Sequence, residues 1–171
     1  MVSGMTRTYI LGCLAAALFL GAARADDRAL PAIEQKVAAA TRSSQVTVVH
    51  FWAPWCPNCG AELARGGWSR FIAGNPDVHF VFVTIWSPTD GRDVLQKNGV
   101  GGEPNFELLL HPNASREKGA KVDELLGIPI SWIPTTWVFR EGKLRYAMNF
   151  GELHFPILQQ LIADSSNTWD R

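Results

Sequence analysis

Two cysteines three positions apart, Cys56 and Cys59, are the residues best suited to chemistry in this chain. Val46 to Trp52 is β-branched and nearly all apolar, the pattern of a strand buried on both faces. A helix is expected from about Pro57 to Ala73, so Trp55-Cys56-Pro57-Asn58-Cys59 lies at the strand-to-helix junction. Cys56 then falls in the N-cap region, where unpaired backbone N–H groups and the helix dipole favour a thiolate. Pro57 suits the first helical position, where its missing N–H costs nothing. Cys59 lies one turn further on, its sulfur beneath that of Cys56, and the two can close a disulfide with little rearrangement. Cys56 is expected to be the exposed nucleophile and Cys59 the shielded resolving thiol.

Other uses of two nearby thiols make different demands. Structural zinc wants four ligands, and the four histidines, at 50, 79, 111 and 154, stand without ligand spacing. No metal ligand set is therefore expected. Two thiolates also suit Cu(I), so a Cu(I)-binding metallochaperone is the alternative function, although only Met148 lies downstream as a further soft ligand. Inert core cysteines fit poorly with a turn flanked by Pro54 and Pro57.

The remainder of the chain narrows the setting. With 171 residues, 47% hydrophobic and a formal net charge of zero, it fits one packed domain and excludes a disordered chain. The absence of a basic excess argues against nucleic-acid binding. Arg7 precedes a 15-residue uncharged run, Tyr9 to Ala23, followed by Ala23-Arg24-Ala25. That order describes a cleavable secretory signal peptide over residues 1–25, shorter than the roughly 20 apolar residues a spanning helix needs. Cys13 would be discarded with it; a retained membrane anchor is the other reading. A mature domain of residues 26–171 would carry Cys56 and Cys59 alone into an oxidising compartment, where such a pair can cycle through a disulfide. The protein is accordingly expected in the periplasm, without a cofactor beyond the Cys56–Cys59 disulfide.

Helices and strands alternate around this pair. A helix is expected over Pro31 to Arg42, and Gly66-Gly67 should weaken or bend the one over Pro57 to Ala73. Val78 to Trp86 reads as a second buried strand and Gly91 to Asn98 as a short helix. Phe106 to Leu110 is a further strand, and Ser115 to Leu126 is expected to be a helix closed by Gly127. Thr135 to Arg140 and Leu144 to Asn149 form a hairpin, before a closing helix over Glu152 to Ala163. The order argues an α/β fold, a central mixed β-sheet flanked by helices.

Phe51-Trp52-Ala53-Pro54-Trp55-Cys56-Pro57-Asn58-Cys59 resembles the active-site segment of the thioredoxin superfamily. Ile133-Pro134-Thr135-Thr136-Trp137-Val138-Phe139, in the right order downstream, resembles its cis-proline loop and following strand. The export signal, Glu62, and a helix-strand insertion from Gly91 to Pro112 resemble the TlpA-like branch of exported thiol-disulfide oxidoreductases. The resemblance implies a thioredoxin-like fold, a cis Pro134, and a backbone at Ile133 that binds substrate in extended form. It also implies exported protein substrates with thiols or disulfides and a membrane electron-donor protein; a monomer is expected. Trp55 would form an apolar platform beside the sulfurs, whereas Trp52 is expected to pack in the core. His50 stands where thioredoxins carry a buried acid. It is a candidate acceptor for the Cys59 proton, or equally a hydrogen-bonded core histidine. Glu62, one turn below Cys59, is a candidate modulator of that thiol or an ordinary solvated helix acid. Ala64 stands where the family's helix proline is usual. The start of the mature chain offers a helix in place of the β-hairpin common in the TlpA-like branch.

Overall fold

The structure, a computed structural model, describes residues 31–148 and 153–167. The signal segment and the start of the expected closing helix at Glu152 lie outside the described residues. Five strands form a mixed sheet in the order β3-β2-β1-β6-β7: β1 Thr47–Trp52, β2 His79–Thr84, β3 Phe106–Leu110, β6 Thr135–Arg140 and β7 Lys143–Met148. β1, β2 and β3 run parallel, while β6 is antiparallel to β1 and to β7.

All six residues of β1 are buried, because both faces of the strand are covered. Val48 and Trp52 face one core with Leu63, Trp68, Ile72, Leu158 and Ile162 of the helices α2 Pro57–Leu63, α3 Gly67–Ala73 and α5 Phe155–Ser166. Val49 and Phe51 face the other, with Val81, Trp137 and Phe139 and with Ile33 and Val37 of α1 Ala32–Thr41. Fully burying one such apolar side chain is worth about 1.5–3 kcal/mol. Polar His50, on the same strand, must therefore be hydrogen-bonded to be tolerated there. Among the described residues no helix is long and apolar enough to cross a membrane.

Three regions depart from expectation. The helix after the cysteines is broken rather than bent: α2 ends at Leu63, a 3-10 turn covers Ala64–Gly66, and α3 begins at Gly67. Arg65 and Gly66 both take positive φ, 54° and 70°. A Cβ on Gly67 would stand 2.2 Å from the Glu62 carbonyl oxygen and 2.9 Å from the Phe155 ring, so this close crossing requires glycine.

The helix expected over Ser115 to Leu126 is absent. Gly119 takes φ 82°, and the segment ends in a small hairpin, β4 Glu124–Leu125 with β5 Ile128–Pro129. Leu126 and Gly127, at φ 54° and 71°, form the two-residue turn between them. Contacts to the rest of the fold overrode local helix propensity there: Trp86 Nε1 donates to Val122 O at 2.7 Å and the Leu126 N–H to Glu34 Oε2 at 2.9 Å. The second strand stops at Thr84 because Trp86 turns out of it with φ 55°. The short helix α4 spans Arg92–Lys97.

Candidate active site

Cys56 is the N-cap of α2, in extended conformation, with Pro57 opening the helix. Its sulfur accepts the Cys59 N–H at 3.4 Å, and its thiol donates to Ile133 O at 3.7 Å. The Ile133–Pro134 peptide bond is cis, and Pro134 is buried at the start of β6. Both cysteines are free. Donors converge on the Cys56 sulfur: first the Cys59 side chain, then the backbone N–H groups of Cys59 and Asn58. Together they outweigh burial and lower its pKa to about 6. Cys59 goes the other way, raised by burial first and then by giving its hydrogen bond to Cys56, with the charge of Glu62 adding to the effect. The chain thus holds one thiol ready to ionise and one held protonated.

Cys56 is less open than expected of the nucleophile. It keeps 6% of its surface against 2% for Cys59, because the helix start and the Ile133 loop close over it. The ranking of the two thiols agrees with the sequence expectation, but full exposure of Cys56 does not.

Beneath the pair lies a buried polar cluster. His50 and Glu62 are 1% and 2% exposed, and His50 Nε2 stands 3.4 Å from Glu62 Oε2. Glu62 accepts Trp68 Nε1–H at 3.1 Å and the Leu153 N–H at 2.8 Å. His50 Nδ1 meets Thr136 Oγ1 at 2.9 Å, and its ring packs between Trp68 and Phe82 at centroid distances of 4.6 and 4.7 Å. A proton on Nε2 gives Glu62 a third donor and leaves Nδ1 to accept from the Thr136 hydroxyl. Burial lowers the His50 pKa to about 3, so the imidazole is neutral at physiological pH. Glu62 is no solvated helix acid: the break after Leu63 and the donors around it turn its carboxylate inward.

Above the pair, Trp55 is 39% exposed and Trp132, beside Ile133, is 69% exposed. Trp55 Nε1 donates to Trp86 O at 2.9 Å, and the Arg116 guanidinium lies 3.7 Å over the Trp55 ring. Trp52, 1% exposed, packs in the core below α2.

The fold therefore gathers Cys56, Cys59, Trp55, Pro57, Ile133 and Pro134 at the α2 N-terminus, with His50 and Glu62 beneath them. His79, His111 and His154 form no cluster with them, and the described residues contain no grouping of three or more His, Cys, Asp or Glu fit to hold a metal ion. Sequence reasoning missed Thr136, Trp68, Arg116 and Trp132. Thr136 had a signal, since it lies opposite His50 once β1 and β6 pair antiparallel. Arg116 had none, because its segment read as a helix.

Residues 33–166 match the family model for a thioredoxin-like domain. The sporulation thiol-disulfide oxidoreductase A of Bacillus subtilis is 27% identical over 135 residues, covering 73% of this chain and 79% of that protein. Among solved structures, a secreted Mycobacterium tuberculosis disulfide oxidoreductase homologous to E. coli DsbE gives a TM-score of 0.52 at 23% identity, over 73% of this chain and 85% of that one. A DsbF homologue from Corynebacterium diphtheriae gives 0.53 at 18% identity, over 72% and 73%. At those identities the two structures speak for the fold. With a family match running through both the cysteine segment and the Pro134 loop, the chain belongs to the thioredoxin-like domain family, an oxidoreductase homologous to thiol-disulfide oxidoreductases.

Proposed function

We propose that this oxidoreductase reduces disulfides of exported proteins in the periplasm, working as a monomeric domain of residues 26–171 after loss of its signal peptide. The observation that carries the proposal is the opposed pair of thiols one helical turn apart, Cys56 lowered to about 6 and Cys59 raised. The Cys56 thiolate attacks a substrate disulfide; a Cys56–substrate bond forms and one substrate thiolate leaves and takes a proton. Cys59 then loses its proton and attacks the Cys56 sulfur. The second substrate thiolate leaves, a Cys56–Cys59 disulfide remains, and two electrons have passed to the substrate. Restoring the dithiol needs a two-electron thiol donor, for which a membrane electron-donor protein is the expected class.

Roles follow from the environments. Glu62, whose charge acts on Cys59, receives the proton that Cys59 must lose. At a pKa of about 3, His50 is too weak a base to keep that proton; it orients the Glu62 carboxylate between Thr136 and Trp68. Trp55 and Pro57 flank the nucleophile, and the backbone at Ile133, next to Pro134, pairs with an extended substrate segment.

Direction follows from the nucleophile. Thioredoxin, with a nucleophile pKa of about 7, has a potential near −270 mV, and DsbA, at about 3.5, has one near −120 mV. A Cys56 thiol lowered to about 6 stands nearer thioredoxin than DsbA, which supports the reducing direction. Uncharged Asn58 beside Cys56 fits the same direction. Equilibration of the Cys56–Cys59 couple in glutathione buffers tests this: a value near −120 mV would reverse the arrow. Cys56→Ser is expected to abolish turnover and Cys59→Ser to trap mixed disulfides with exported proteins. Absence of any trapped partner would count against the scheme. The second reading, Cu(I) carriage by the same soft thiolates, predicts tight stoichiometric copper binding by the reduced protein.

A further inference from the structure

The segment between β3 and β6 includes some thirteen residues, 111–123, without helix or strand, a length that in compact domains usually marks a functional loop. It is held firmly. Val122, Leu125 and Ile130 are buried, Trp86 Nε1 is bonded to Val122 O, and Asn113 Nδ2 donates to Ala120 O at 2.8 Å. What this loop presents to the cysteines is positive charge on aromatic rings: Arg116 lies over Trp55 and Lys121 Nζ stands 4.2 Å over Trp86. The two indoles are joined by the bond from Trp55 Nε1 to Trp86 O. Among the described residues the contacts between carboxylates and basic side chains lie elsewhere, at His50–Glu62, His79–Glu107 and Arg92–Asp90, so neither loop cation meets a described carboxylate. The loop's own acids, Glu117 and Asp123, and Glu124 just beyond it, are exposed to solvent.

A guanidinium stacked by its face on an indole keeps its edge N–H donors free, and those donors match a carboxylate in two-point geometry. Next in sequence to Ile133, whose carbonyl meets Cys56, stands Trp132, 69% exposed, a large apolar surface of the kind a partner covers.

We infer that the Arg116–Trp55 stack, with Lys121 on the neighbouring Trp86 and Trp132 beside Ile133, selects extended substrate segments that carry an acidic side chain next to the disulfide cysteine. The occupant is a stretch of substrate protein, fixed by charge complementarity to Arg116, which meets no carboxylate among the described residues. The inference rests on the dithiol reading of Cys56 and Cys59 and adds a substrate preference to it.

The test uses two peptide disulfides that differ only in Glu or Lys beside the cysteine, reduced by the reduced full-length protein, with glutathione disulfide as a small control. The Glu peptide is expected to react about threefold to fivefold faster at low salt, the range of a solvent-accessible ion pair. At 1 M salt, where screening acts within about 3 Å, the preference is expected to vanish. Arg116→Gln should erase it and Arg116→Glu reverse it, both with the Cys56–Cys59 potential unchanged. Trp132→Ala should raise KM for both peptides and leave the rate with glutathione disulfide unmoved. Equal rates for the two peptides in the unmodified protein, or a preference surviving in Arg116→Gln, would overturn the inference and leave the oxidoreductase standing. Failure to react even with glutathione disulfide would overturn the dithiol reading first, and this inference with it.

Discussion

The layer under the cysteines and the rim above them are built on opposite principles. Below, His50, Glu62, Trp68 and Thr136 are fully buried, and every named contact among them is a hydrogen bond, ion contact or ring contact to another buried group. Above, Trp55 and Trp132 are partly or largely exposed, and Arg116 leans on a ring face. In the dry lower layer burial dominates the Cys59 thiol, and the Glu62 charge adds to the same effect. At the wet rim each contact is weak by itself and serves recognition. The comparison teaches that proton handling and partner choice are separable here, with Cys56 the atom they share.

The largest test of that division is Glu62→Gln. It keeps the shape of the side chain but removes the charge, and resolution of a Cys59-dependent mixed disulfide is expected to slow about a hundredfold, the scale of a lost proton acceptor. Stopped-flow rates against pH check it. Under the same assay His50→Gln should leave the profile between pH 6 and 8 in place, since burial keeps His50 neutral throughout that range. A shift in the His50→Gln profile would restore histidine as the base.

His50 should reveal itself instead in acid stability. Its folded pKa is lowered to about 3 from an ordinary 6.5, so the unfolded chain binds a proton that the folded one refuses. The stability is fully present above pH 6.5 and is lost as pH falls toward 3, with a slope of about 1.4 kcal/mol per pH unit from this group. Urea unfolding at stepped pH measures it.

Gly67→Ala probes the seam between the layers. The new methyl would meet the Glu62 carbonyl oxygen, and a loss of about 1–3 kcal/mol is expected, as for other overpacked sites. Thermal unfolding checks it. The smallest effect belongs to the rim: Arg116→Gln should cost no more than about 0.5–1 kcal/mol of stability, the worth of an exposed cation–ring contact. A larger loss would make Arg116 a structural pin.

The lower layer was largely legible from residue order. An apolar β-branched run ending at a Cys-Pro-Asn-Cys turn dictates a buried strand feeding a helix, and the Ile133-Pro134 segment fixed what faces that turn. The orientation of Glu62 was not legible, because it depends on a helix that breaks at Arg65, whose positive φ no propensity favours. The rim was the least legible. Ser115 to Leu126 has helical composition, but its backbone is committed to Trp86, Glu34 and Asn113, partners distant in sequence or dependent on the folded turn. A reader of sequence alone would move Arg116 away from the cysteines.

The thiol of Cys56 is engaged with the carbonyl of Ile133, the same main chain that an incoming segment would pair with. A thiol can give that hydrogen bond, whereas a thiolate has no proton to give and repels the carbonyl oxygen. Ionisation at about pH 6 therefore arms the sulfur and releases the Ile133 carbonyl from its hydrogen bond in one event. One proton thus both quenches the nucleophile and occupies the Ile133 carbonyl.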